Sequence, residues 1–152
     1  MINKKKLNWR FQGNEINYVY DVLKNGFKAG SDGAYSAKLE EKFNKTHKVK
    51  YSIAVNSGTS GLFSALLALG CKKNNEVLVP ALTPLMCGLT VHYTGATPVF
   101  VDSDPDTFLM CSDDLEKNKF VADPSQIEKC INKSTVAIMI PNLIGNIANW
   151  KK

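Results

Sequence analysis

The chain has 152 residues, 44% of them hydrophobic, and a formal net charge of +5, which predicts a globular fold able to bury roughly 70% of its unfolded surface. No apolar run reaches the 18 or so residues of a membrane span, and Met1-Ile2-Asn3-Lys4-Lys5-Lys6 leads into Leu7-Asn8-Trp9-Arg10 rather than an apolar core. The expectation is a cytoplasmic protein with no membrane contact.

The positive charge comes from scattered lysines, Arg10 is the only arginine, and aromatic residues do not interleave with them. Base readout and phosphate forks lean on arginine, so a nucleic-acid partner is not expected. Cys71, Cys87, Cys111 and Cys130 lie far apart, with no C-x-x-C and no histidine at a ligand spacing. Free thiols and no metal site are expected.

Residues 1–13 read as an irregular lead-in in which Leu7, Trp9 and Phe11 alternate. Asn14 is a candidate N-cap, Ile16, Val19, Tyr20 and Leu23 form one face of a surface helix, and Gly26 stands where a left-handed residue ends it. Residues 27–33 contain Gly30 and Gly33 just after Gly26, a pattern that suits either a loop touching a ligand or neighbour, or an ordinary connector. A second helix is expected over 34–46, with Tyr35, Leu39 and Phe43 as its core stripe.

The chain is organised around YSIAVNSGTSGLFSALLALG, residues 51–70. Residues 51–55 have the length and β-branching of one buried strand, and Leu62, Leu66 and Leu69 repeat at helical spacing. Between them lies the turn Asn56-Ser57-Gly58-Thr59-Ser60-Gly61. Amides at the start of a helix have no backbone partners and sit at the positive end of its dipole, so such a turn is an anion site. Ser57, Thr59 and Ser60 add hydroxyls, while Gly58 and Gly61 let backbone approach a ligand. Simple structural capping accounts for the same residues equally well. The turn is neither G-x-G-x-x-G nor a P-loop, which disfavours a plain nucleotide-binding fold.

Gly70 and the polar turn 72–75 lead to a strand at 76–80, then Thr83-Pro84 opens a helix to about Tyr93 that stops at Gly95. A strand follows at 97–101, with Asp102 after its carboxyl end. Residues 108–122 have no clean period, Asp123-Pro124 caps a short helix through Ile131, and 135–140 is a further strand. The alternation predicts an α/β fold with a mostly parallel sheet flanked by helices, and ligands beyond the carboxyl ends of its strands.

Several of these stretches, in this order and spacing, resemble the DegT/DnrJ/StrS family: residues 26–30, 39–43, 54–60, 66–70, 76–83 and 95–102. That family comprises fold-type I, pyridoxal-phosphate-dependent aminotransferases and dehydratases acting on nucleotide-linked keto-sugars. The resemblance implies a partial fold-type I large domain, with residues 1–50 as lead-in and two helices and 51–152 as the first part of the cofactor-binding domain. It implies pyridoxal 5'-phosphate or pyridoxamine 5'-phosphate as cofactor, a nucleotide-linked keto-sugar and an amino donor such as glutamate as substrates, and a homodimer or a complementing chain. By motif position, Ser57, Gly58 and Thr59 would hold the cofactor phosphate. Asp102 would fall near the cofactor cavity or simply cap its strand.

The sequence departs from the family in three places. Pro84 stands where the family usually stacks an aromatic or histidine on the pyridine ring; it offers an apolar face without π-stacking. Asn142 replaces a common histidine and, with Gly145-Asn146, resembles the branch that includes pyridoxamine-phosphate-dependent sugar 3-dehydratases. In the family, the aspartate that pairs with the pyridine nitrogen and the lysine that binds the cofactor follow the segment matched by residues 141–150. The expectation is thus an amino-terminal, truncated part of a nucleotide-sugar aminotransferase, inactive alone. The alternatives are a dehydratase fragment or a non-catalytic dimerisation remnant. The family's later strands would lie between the strand at 51–55 and the other three, leaving apolar edges uncovered.

Overall fold

The computed structural model describes residues 10–11, 13–26, 34–103, 124–145 and 147. The chain divides into two units, Met1–Ala54 and Val55–Lys152. The loop expected at 27–33, the irregular stretch at 108–122, Asp123 and Cys111 lie outside the described residues.

In the first unit, helix α1 (Glu15–Asn25) ends at Gly26, whose φ of 80° is a conformation a side chain would resist. Its Val19, Tyr20 and Leu23 are exposed, in keeping with a surface helix. Helix α2 (Ala34–His47) is joined to α1 by a 2.7 Å hydrogen bond from Tyr35 Oη to Asp21 Oδ2 and by the Tyr18 and Tyr35 rings, 5.2 Å apart. That bond, with a second from Asn25, holds the Asp21 carboxyl below its ordinary pKa. The core stripe expected on α2 is not buried, since Leu39 and Phe43 are exposed. Among the described residues of this unit, one short neighbouring helix and an extended segment offer too little apolar surface to cover it.

The strand expected over 51–55 does not form. Among the described residues no strand lies beside it to take its backbone groups, and a strand exists only as part of a ladder. Glu40 substitutes in part: its carbonyl accepts from Ser52 Oγ at 3.1 Å and its Oε1 from the Ala54 amide at 2.8 Å. Ile53 is left 82% exposed.

The second unit runs α3 (Gly58–Ala68), β1 (Glu76–Pro80), α4 (Leu85–Tyr93), β2 (Thr97–Val101), α5 (Pro124–Cys130) and β3 (Thr135–Ile138), then one 3-10 turn at Leu143–Gly145. The strands form a parallel sheet in the order β2-β1-β3. Glu76 pairs with Thr97 and continues in register to Pro80 opposite Val101. On the other side the register shifts between Glu76 and Val77, so Val77 faces Ala137. β3 is shorter than the expected 135–140, although the Met139 amide still reaches the Leu78 carbonyl at 2.8 Å.

β1 is covered on both faces, which is why its sequence is a continuous apolar run rather than an alternation. Val77 and Val79 pack with Leu66 of α3, Cys87 and Val91 of α4, and Ala96. Leu78 and Val101 point to the opposite face, against Ile127 and Cys130 of α5. Leu62 packs against the first cluster, but Leu69, expected on the same stripe, is exposed because the helix stops at Ala68 and Leu69 is its C-cap. Gly70 follows with φ 80°, and Gly95 ends α4 with φ 83°.

β2 pairs on one side only among the described strands. Its Thr97 amide bonds the Asn75 carbonyl and its Val101 carbonyl accepts from the Ala81 amide, so the backbone groups of Pro98 and Phe100 turn away from β1. Pro98 brings no N–H to that outer edge.

Candidate functional site

The turn before α3 is shorter than its composition suggests. Only Asn56 and Ser57 precede the helix, which begins at Gly58, so Gly58 and Gly61 are both helical. Ser57 is extended, with φ −160° and ψ 159°, and as N-cap its Oγ accepts from the Ser60 amide at 3.1 Å. The Gly61 amide takes the Ser57 carbonyl, also at 3.1 Å. Among the described residues this leaves the Gly58 and Thr59 amides and the Thr59 hydroxyl without hydrogen-bond partners. Ser57 and Gly58 are exposed.

Electrostatics favour an anion here. No acidic residue occupies the first turn of α3, so the positive end of its dipole is not offset. A Cβ placed on Gly58 would meet nothing within 4 Å, whereas one on Gly61 would lie 3.4 Å from Val55 Cγ2. Gly61 therefore faces the chain's own Val55 and not a ligand, contrary to its expected role. Gly58 alone opens to the outside.

Position follows from connectivity. α3 ends at a short turn that feeds the start of β1, and its Leu66 packs on the Val77 and Val79 face, so α3 runs back along β1. Its amino end thus lies toward the carboxyl ends of the strands. The loop after β1 reaches that edge too, pinned by a 2.7 Å bond from the Ala81 amide to the Val101 carbonyl and a 3.3 Å bond from the Leu82 amide to Ser103 Oγ. Pro84 sits at the N-cap of α4, exposed, with φ −55° and ψ 136°.

Ser57, Gly58 and Thr59 are brought together at one helix start, while Pro84 opens the neighbouring helix at the same edge, with no hydrogen bond to them among the described residues. Asp102 spends Oδ1 on the Ser103 amide at 2.8 Å, the strand-end cap. Ser103, which braces the Pro84 loop, escaped the sequence reading; its signal is the Asp-Ser pair after a strand, a pattern for a local side-chain turn. Asn142 follows β3 and is exposed.

Two other features stand apart. An open groove of about 430 Å³ runs between α4 and β2, lined by Leu85, Leu89, Pro98 and Phe100, with Thr83 Oγ1 buried at its wall and unbonded among the described residues. Within the first unit, a smaller cavity of about 180 Å³ lies by Leu39, Phe43 and Ile53. Neither includes Ser57, Gly58 or Thr59. Among the described residues no three His, Cys, Asp or Glu side chains are grouped to hold a metal, and no helix is long and apolar enough to cross a membrane.

A parallel sheet with an anion-ready helix start at its carboxyl edge agrees with the resemblance in the sequence. The sequence profile described as the DegT/DnrJ/EryC1/StrS aminotransferase family matches residues 10–152. The chain belongs to this family.

Among its relatives, GDP-perosamine synthase of Escherichia coli O157:H7 is 40% identical over 134 residues, covering 88% of this chain and 33% of that protein. GDP-perosamine synthase of Caulobacter vibrioides is 36% identical, with coverage of 92% and 34%. The chain thus spans about a third of the length of these relatives. Among solved structures, Spr1654 from Streptococcus pneumoniae, known in PLP and PMP forms, superposes with a TM-score of 0.76 at 28% identity, over 90% of this chain and 31% of its own. NtdA from Bacillus subtilis with bound PMP gives 0.75 at 29% identity, over 90% and 28%. The architecture of this family member is, in part, the fold-type I aminotransferase fold.

Proposed function

We propose that this family member forms the part of a PLP-dependent nucleotide-sugar aminotransferase that grips the cofactor phosphate, and that Ser57, Gly58, Thr59 and Pro84 are its cofactor contacts. The observation that carries the reading is the start of α3: two amides and a hydroxyl without partners among the described residues, no carboxylate in the first turn, and open space at Gly58. This donor set suits a phosphate dianion, which needs N–H and O–H donors and no competing negative charge.

Bound there, pyridoxal or pyridoxamine phosphate supplies the electron sink for moving an amino group onto a keto-sugar. The chain's own residues bind and orient. The Gly58 and Thr59 amides and the Thr59 hydroxyl hold the phosphate, and Pro84 gives the ring an apolar face. The brace of Leu82 on Ser103 fixes the loop that carries Pro84. The names of the GDP-perosamine synthases support a nucleotide-linked sugar as substrate; membership of an aminotransferase family supports an amino donor, for which we propose glutamate. The uncovered apolar residues support a partner polypeptide, either a second copy or a complementing chain. Free thiols at Cys71, Cys87 and Cys130 support a reducing, cytosolic setting.

The reading is tested by Thr59→Ala combined with Gly58→Val. Fluorescence titration with pyridoxal 5'-phosphate is expected to show binding by the wild-type chain and none by the double variant. Unchanged affinity in that variant would refute the site.

A further inference from the structure

Helix α1 shows its apolar stripe to the side away from α2. Successive residues step by about 100° around a helix, which puts Tyr18, Asp21 and Asn25 on one side and Ile16, Val19, Tyr20 and Leu23 on the opposite one. The first side is tied to α2 through the Tyr18 and Tyr35 rings and the hydrogen bond from Tyr35 to Asp21. Val19, Tyr20 and Leu23 are left 59%, 65% and 69% exposed. The α2 helix of the same chain is therefore not what this stripe covers.

The same unit holds an open apolar recess. Leu39 and Phe43 of α2 and Ile53 of the extended segment wall the cavity of about 180 Å³, with Glu40 and Ser52 also in its lining. An apolar cavity of about 150 Å³ lined by such side chains holds one benzene ring, so this one has the size for a single aromatic side chain. Its only lining carboxylate lacks a cation. Glu40 Oε1 accepts from the Ala54 amide, and the ion pair among the described residues joins Lys45 to Glu41 instead. The recess thus fits a ring with a positive charge close by.

α1 carries that combination, because Tyr20 and Lys24 are four residues apart and adjoin on the helix surface. We propose that a second copy of this chain lays its α1 stripe over the recess, with the Tyr20 ring in the cavity and Lys24 beside Glu40, and that a two-fold axis repeats the contact in the other direction. Every copy has one stripe to give and one recess to receive, the self-complementarity that a closed dimer requires. Each copy then buries both surfaces, toward the roughly 800 Å² per partner of a standard interface. The Tyr20 hydroxyl, which needs a partner once covered, meets Glu40 and Ser52 at the wall. This rests on the partner reading above and deepens it, naming a second copy over a complementing chain; the cofactor site plays no part in it.

Sedimentation equilibrium of the full chain at micromolar concentrations tests the exchange. The wild-type chain is expected to dimerise. Tyr20→Ala, at an exposed position, loosens the dimer by about thirtyfold per contact, the scale of a buried aromatic anchor, and by roughly a thousandfold over the two contacts. Lys24→Glu and Glu40→Lys each weaken self-association by about tenfold or more, and an equal mixture of the two restores a mixed dimer, since both contacts again join an acidic to a basic side chain. A role confined to the fold of either variant is not rescued by mixing. In a Glu40→Gln background, which keeps an acceptor for the Ala54 amide, Lys24→Glu adds little further loss.

A wild-type dimer left equally tight by Tyr20→Ala, or charge variants that do not associate when mixed, would overturn the inference while keeping a second copy as partner through another surface. A wild-type chain that stays monomeric throughout would overturn it and leave the complementing chain as the partner. Thermal melts of each variant separate lost association from lost fold.

Discussion

Gly58 and Gly61 are helical residues that the fold does not require to be glycine. Neither has a left-handed φ, a Cβ at Gly58 meets open space, and one at Gly61 gains an ordinary contact with Val55 at 3.4 Å. Replacing glycine by alanine in compatible backbone stabilises by about 0.4–1 kcal/mol, largely by restricting the unfolded chain. Gly58 is the first helical residue and belongs at the low end of that range; Gly61, one turn in, belongs at the high end. For a unit the size of Val55–Lys152, each kcal/mol moves Tm by about 4–8 °C. Gly58→Ala together with Gly61→Ala is therefore expected to raise Tm by roughly 5–10 °C in differential scanning calorimetry without ligand. A lower Tm for Gly58→Ala would show that the glycine serves the fold, and would remove the argument that its open side is kept clear for a guest.

Other outcomes follow from the core and from the first unit. Leu66, 4% exposed and the only fully buried residue of α3, should cost about 2–5 kcal/mol as Leu66→Ala, read by urea unfolding; a loss below 1 kcal/mol would mean α3 is not docked on Val77 and Val79. Because the Tyr35 hydrogen bond holds the Asp21 carboxyl below its ordinary value of 3.8, the stability it adds is present above that pH and lost as pH falls through the lower, folded value. Tyr35→Phe should thus be less stable than wild type at neutral pH, with the gap closing in acid; a gap independent of pH would assign the loss to ring packing alone. Burial raises the Cys71 thiol above its usual pKa, so in native protein it should react with a thiol reagent far more slowly than the half-buried Cys130, and equally fast in denaturant.

The elements easiest to foresee were those bounded by punctuation and filled by a single apolar run. β1, α4 and β2 fall within a residue or two of their expected limits because Asn75, Pro84 and Gly95 mark them and because a doubly covered strand has no alternation to misread. Residues 51–55 failed for the complementary reason. Their β-branched composition describes a surface that fits between neighbours, and no described strand supplies them. The α2 stripe failed likewise: Leu39 and Phe43 have helical spacing, but spacing says which residues share a face and not what covers it.

At the candidate site, the capping role of Ser57 was visible in its type and place, as was the anion-favouring sign of the helix start. The pairing of Asn56 with Ser60 was not, because the small polar residues of this turn can bond in several combinations and only geometry chooses among them. Gly61 was misjudged for a related reason, since a glycine's open side has no direction until the helix is built. Ser103 was missed because its partner, the Leu82 amide, lies twenty-one residues away in sequence.

The proline in β2 gives the sheet a direction of growth. With no donor at position 98, the flank beyond β2 behaves as the closed end of a zipper, and a newcomer laid there would forfeit a rung at mid-length. β3 carries no such stop among the described residues, so the flank beside Val136 and Ile138 is the one where a strand laid down would keep every rung.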